Sequence, residues 1–102
     1  MLKKPLKNLK SEMKVIWTNS FKKDYKKAIK RGLRIEKLDS IISQLANGDI
    51  LSERHRDHSL TGIFDGLREC HIEPDWLLIY GYSENKLILT LTRTGTHSDL
   101  FN

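Results

Sequence analysis

The sequence predicts an α+β domain in which two N-terminal helices pack on one face of a small, mainly antiparallel four-stranded sheet. Three observations predict it. Apolar residues recur at helical spacing in two consecutive segments, from Phe21 to Ile29 and from Ile35 to Leu45. Strand-like runs then follow one another from Leu67 to Thr94, and one short β-branched and aromatic run, Val15-Ile16-Trp17-Thr18, precedes the helices. The order β, α, α and a three-stranded meander places both helices on the same side of the sheet.

The elements follow in order. Residues 1–12 carry four lysines and read as a basic N-terminal extension, with the folded domain over residues 13–102. Val15 to Thr18 has the composition of a first strand, and Asn19 or Ser20 is positioned to cap the helix that follows. Phe21, Tyr25, Ala28 and Ile29 form the apolar stripe of that helix, with lysines on the other side and Gly32 as its stop. Ile35, Leu38, Ile41, Ile42 and Leu45 repeat the geometry up to Gly48, giving an antiparallel helical hairpin. Periodicity is lost from Asp49 to Gly62, a loop long enough to be functional. Leu67 to Ile72 reads as a strand, and Glu73-Pro74-Asp75 as its turn. Trp76 to Tyr82 is apolar on both sides of the pleat, as a central strand requires. Ser83-Glu84-Asn85 connects it to a last strand, Lys86 to Thr94, which Gly95 ends. His97 to Phe101 is then a short C-terminal turn or helix start.

With 102 residues, 38% hydrophobic and 30% charged, the chain describes one soluble globular domain. It holds no apolar run near the roughly 20 residues that span a bilayer and no leader of the secretory type. No membrane association is expected. A lone cysteine, Cys70, fits a reducing compartment and a cytoplasmic location, and is read as an apolar filler. The net charge of +5 points to a polyanionic partner, nucleic acid or an acidic protein. It is concentrated on the first helix, where the lysine face, Lys22 and Lys26 included, is either a solvated surface or an RNA contact.

Chemistry concentrates in the second half. His58 lies in the loop entering the meander, His71 and Asp75 flank its first turn, and His97 follows the last strand. The helices cover one sheet face, so these residues can meet on the other. Histidines and a carboxylate near strand ends suit proton transfer near neutral pH. Metal binding is the weaker reading, because no pair has the helical i, i+4 spacing or tight clustering of zinc motifs. Cys70 and His71 alternate to opposite faces, which argues against a thiol nucleophile. Phe101, an aromatic beside His97 at the C-terminus, is placed to stack on a base.

Three segments, Asp57-His58-Ser59-Leu60-Thr61-Gly62, Arg68-Glu69-Cys70-His71-Ile72-Glu73-Pro74-Asp75-Trp76 and Arg93-Thr94-Gly95-Thr96-His97-Ser98-Asp99-Leu100-Phe101, closely resemble YafQ-type toxins of the RelE superfamily. The resemblance implies a RelE-like fold and the toxin of a type II toxin–antitoxin system. It also implies a ribosome-dependent mRNA endoribonuclease without cofactor or metal, and a cognate antitoxin forming a hetero-oligomer with it. Carried over by motif, the catalytic positions are His58, His71, Asp75, His97 and Phe101, with Arg68, Trp76 and Arg93 as substrate contacts; Lys22 and Lys26 join these contacts from the basic face of the first helix. His71 or Asp75 would act as base, His97 as acid, and His58 as second proton carrier or phosphate donor. Arg68 or Arg93 would offset charge at the phosphorane, and Phe101 and Trp76 would orient bases or shape the pocket. Two alternatives remain open: a non-catalytic inhibitor of DNA gyrase like the ParE branch, which does not need the histidines, and an RNA-binding module that does not cut.

Overall fold

In a computed structural model the structure describes residues 13–101. The basic extension expected over residues 1–12 lies outside the described residues. The chain runs β1 (Lys14–Trp17), α1 (Asn19–Lys30), α2 (Ile35–Ala46), a 3₁₀ turn (Glu53–His55), β2 (His58–Ser59), a second 3₁₀ turn (Gly62–Phe64), β3 (Arg68–Glu73), β4 (Trp76–Ser83), β5 (Ile88–Gly95) and α3 (His97–Phe101). Among the described residues no helix is long and apolar enough to cross a membrane.

The sheet has five strands, in the order β1-β5-β4-β3-β2, rather than the four expected. The additional one is β2, two residues that pair antiparallel with β3 through His58 opposite Glu69 and Ser59 opposite Arg68. A strand so short leaves no periodicity to read, so the sequence presents it as loop. β1 pairs parallel with β5, and all other pairs are antiparallel.

Thr18, not Asn19 or Ser20, caps α1: its hydroxyl oxygen accepts the Phe21 N–H at 3.1 Å, and its O–H donates to the Thr92 carbonyl at 3.0 Å. One side chain thus ties the helix start to β5. At the other end the Leu33 N–H reaches the Ala28 carbonyl and the Gly32 N–H that of Ile29, a Schellman ending that needs the left-handed φ of +76° at Gly32.

Phe21, Ala28, Leu38, Ile41 and Leu45 bury the helical stripes against Cys70, Ile72, Leu78, Tyr80, Leu89 and Leu91, a single core on one sheet face. Each large side chain removed from water contributes about 1.5–3 kcal/mol. On the opposite face Leu77 and Ile79 pack under Leu100 of α3, flanked by Leu60, Phe64 and Leu67. This smaller layer leaves that face open along β2 and β3. β5 ends at Gly95 after a register shift opposite Ile79 and Tyr80, and the shift reverses which residues of its second half face the helices.

Candidate functional site

Alternation decides what the open face carries. Glu69 pairs with Ile79 and His71 with Leu77, so both project with the Leu77–Ile79 layer and away from the helices, and His58 joins them through its pairing with Glu69. His97 and Phe101 arrive from α3, whose Leu100 plugs the same layer.

Asp75 and His97 form the tightest unit. Asp75 Oδ1 lies 2.7 Å from His97 Nδ1 and accepts the His97 backbone N–H at 3.0 Å. That N–H, then the ring, holds the Asp75 carboxyl below the usual carboxylate range. An ionised carboxylate only accepts, so Nδ1 carries a proton and Nε2 is left without a partner among the described residues. The His97 ring stands 5.8 Å from that of His71 and 6.3 Å from that of Phe101, which packs edge-on against Phe64.

His71 and His58 share a second arrangement. His71 Nδ1 lies 3.2 Å from the Pro74 carbonyl and His58 Nδ1 lies 2.7 Å from that of Arg56. A carbonyl only accepts, so each Nδ1 donates and each ring turns its Nε2 toward β3. Both Nε2 atoms face one oxygen, Glu69 Oε1, at 3.4 Å from His58 and 3.6 Å from His71. Glu69 is 5% exposed. The sequence reading missed it, although strand alternation from His71 identifies it as the same-face neighbour two residues earlier. Arg56 holds a left-handed φ of +47° where it presents its carbonyl to His58.

Local sequence explains why α3 starts where it does. The Asp99 N–H donates to Thr96 Oγ1 at 3.0 Å and the Thr96 N–H donates to Asp99 Oδ2 at 3.0 Å, a capping box. Asp99 also takes a forked contact from Arg31 at the end of α1, at 2.7 and 3.3 Å. Arg31, then the Thr96 N–H, holds its carboxyl well below the ordinary range. A Cβ at residue 95 would sit 2.9 Å from Asp99 Oδ2, so glycine is required there.

The remaining sequence-derived candidates are placed differently. Arg68 donates to Asp57 at 3.2 Å and to Ser59 at 2.9 Å, while the Tyr80 hydroxyl donates to Asp57 at 2.5 Å. Burial pushes the Tyr80 phenol up, and Asp57 adds to it. This network anchors β2 to the sheet. Arg93 is held by Asp24 of α1 at 2.6 and 3.3 Å, and Asp24 also accepts the Thr94 N–H, filling the β5 edge beyond β1. Trp76 lies in the helix-side core at 3% exposure, donating from Nε1 to Thr94 Oγ1, and does not reach the open face. Lys22 and Lys26 are exposed on α1, whose buried side packs against the opposite sheet face. Cys70 is fully buried, and burial raises its thiol pKa, as expected of a filler.

Four similarities to known proteins bear on this arrangement. The chain is 38% identical over 86 residues to the mRNA interferase toxin YafQ of Escherichia coli K12, covering 83% of this chain and 91% of that protein. The crystal structure of the E. coli DinJ-YafQ toxin-antitoxin complex aligns with a TM-score of 0.81 at 37% identity, over 89% of this chain and 99% of that one. A metal-bound toxin from Helicobacter pylori aligns with a TM-score of 0.81 at 35% identity, over 87% of this chain and 99% of that one. A family model described as a bacterial toxin of type II toxin-antitoxin system, YafQ, matches residues 13–102. The chain belongs to the YafQ family of bacterial type II toxin–antitoxin toxins.

Proposed function

We propose that the protein is an mRNA endoribonuclease that cuts on the ribosome by histidine acid–base chemistry, without a metal, and that a cognate antitoxin made in the same cytoplasm inhibits it by forming a hetero-oligomer with it. The observation that carries this reading is the pair of rings 5.8 Å apart, His71 and His97, each oriented through its Nδ1 by an acceptor. Both can stay within hydrogen-bond reach of groups on one phosphate.

In the proposed reaction His71 Nε2 takes the proton of a ribose 2′-hydroxyl. The 2′-oxygen attacks phosphorus, the bond from phosphorus to the 5′-oxygen breaks, and His97 Nε2 donates its proton to that leaving oxygen. The products are a 2′,3′-cyclic phosphate and a 5′-hydroxyl. Asp75 stabilises the charged His97 and sets its orientation, so it serves the acid and not the base. Glu69 favours the protonated ring of His71 after it has accepted the proton. It does the same for His58, whose more exposed ring donates to a non-bridging oxygen of the phosphorane. Phe101 stacks on a base beside the cut. Arg68 and Arg93, committed to Asp57 and Asp24, support the scaffold, and Lys22, Lys26 and their neighbours contact phosphates remote from the cut.

The E. coli relative is named an mRNA interferase, and its family partner DinJ is seen in complex with it; both support the reading. The test is mRNA 5′-end mapping after brief induction in a bacterium, comparing wild type with His97→Ala. New internal ends that vanish in the variant support the nuclease. Growth arrest without new ends, persisting in the variant, supports a ParE-like inhibitor in its place. Cleavage of ribosome-bound mRNA at constant magnesium by toxin stripped of transition metal supports the metal-free chemistry, and loss restored by returning a transition-metal ion to the toxin overturns it.

A further inference from the structure

A cavity of about 690 Å³ lies between α2 and the end of β3, on the far side of the β3 edge from the catalytic face. Its size is that of a small-ligand site. His71 lines it, so the cavity and the catalytic face share one residue as a wall. Ile41 and Ile72 give it an apolar floor, and Arg54 and Arg56 stand on its rim. Neither arginine side chain has an ion-pair or hydrogen-bond partner among the described residues, whereas Lys37, on the opposite wall, is already paired with Glu73 at 2.8 Å. The unmatched charge at the mouth is therefore positive.

His55 supplies the specific feature. Its ring is 8% exposed, and its Nδ1 lies 2.6 Å from the His71 carbonyl, so Nδ1 donates. Nε2 has no hydrogen-bond partner among the described residues and is not sealed from solvent, so it opens into the cavity that the ring lines. In the neutral ring Nε2 is an acceptor. A nearly buried acceptor over an apolar floor, with two free guanidinium groups at the entrance, matches a nucleotide: a flat base whose edge donates a hydrogen bond, on a phosphate-bearing strand. Arg56 is two residues from His58, so a strand gripped at the catalytic face can continue past the arginines to this opening.

We infer that this cavity is a base-reading subsite for a nucleotide flanking the cut, in which His55 Nε2 accepts from an amino-bearing base edge and Arg54 and Arg56 hold the adjoining phosphates. The inference rests on the nuclease reading above. It makes the choice of cutting position a property of His55, separate from the residues that move protons. Loss of a single buried acceptor opposite a donor is a discrimination of the order of 10-fold or more.

The test maps mRNA 5′ ends for wild type, His55→Phe and Ser40→Trp, and compares cutting next to each of the four bases as ratios. Ser40→Trp fills the cavity from α2 without touching the bond between His55 and His71. Either variant shifting the ratio between amino-bearing bases and uracil about 10-fold at one flanking position supports the subsite. Complete loss of cutting by a folded Ser40→Trp variant reports displacement of His71, the wall that the cavity shares with the catalytic face, and the base ratios of His55→Phe then decide. Wild-type ratios in both variants overturn it. If His55→Phe fails to fold, Ser40→Trp alone decides between these outcomes. Absence of new ends with wild type would instead remove the nuclease reading itself.

Discussion

Asp75 Oδ1 engages His97 twice, accepting its backbone N–H at 3.0 Å and facing its Nδ1 at 2.7 Å. One oxygen therefore fixes both where α3 begins and which way its first side chain points. The depressed Asp75 carboxyl stays ionised throughout the neutral range, so this orientation does not depend on pH there.

Asp75→Asn keeps the shape and removes the charge that favours protonated His97. Single-turnover cleavage is expected to slow about 10- to 10²-fold, short of what removal of the acid itself costs. Circular dichroism should show an unchanged fold. A wild-type rate would detach Asp75 from the chemistry.

Glu69→Gln tests the carboxylate that His58 and His71 share. Cleavage should fall about 10²-fold, while the melting temperature holds or rises, because a buried carboxylate exacts a desolvation cost that an amide does not. Wild-type activity together with a lower melting temperature would make Glu69 a purely structural residue.

Much of this arrangement was legible in the sequence, and the exceptions have physical causes. The stripes of α1 and α2 show at 3.6-residue spacing, and β4 shows as an apolar run because it is the central strand. His58, His71, Asp75 and His97 were readable as chemistry near strand ends, and they do converge on the face the helices leave open. β2 was not readable, since two residues carry no period, and its position follows from Asp57 just before it being held by Arg68 and Tyr80, 11 and 23 residues further on. Strand spacing reads Trp76 as core, and the motif adds that it would orient bases or shape the pocket; it lies in the core, where Thr94, turned inward after the register shift in β5, takes the indole N–H. Glu69 was overlooked because a carboxylate within a strand usually reads as solvent-facing.

The same Thr94 predicts a stability effect. Its hydroxyl accepts from Trp76 at 3.0 Å and donates to the Leu77 carbonyl at 2.6 Å, and Thr94 is 3% exposed. Thr94→Val leaves a buried donor and a buried acceptor unpaired, so unfolding free energy should drop by about 1–3 kcal/mol. Denaturant titration reads this directly, and a change below about 0.5 kcal/mol would contradict it.

Asp99 predicts a pH dependence. Its folded-state pKa is depressed by Arg31 and the Thr96 N–H, so the unfolded chain takes up the proton first as pH falls. The stabilisation is complete above the unfolded value, about 3.9, and is lost as pH drops below it toward the folded value. Asp99→Asn, which retains a capping oxygen, should melt below wild type at pH 7, and the gap should begin to narrow only as pH falls below about 3.9. A gap that is constant with pH would assign the effect to the cap and not to the charge.

The most direct test of the central claim is single-turnover cleavage of ribosome-bound mRNA by wild type and His97→Ala at matched protein concentration. A loss of at least about 10²-fold with the fold intact is the expected result, the range a positioned general acid contributes. A folded His97→Ala variant that cuts at the wild-type rate would contradict the account.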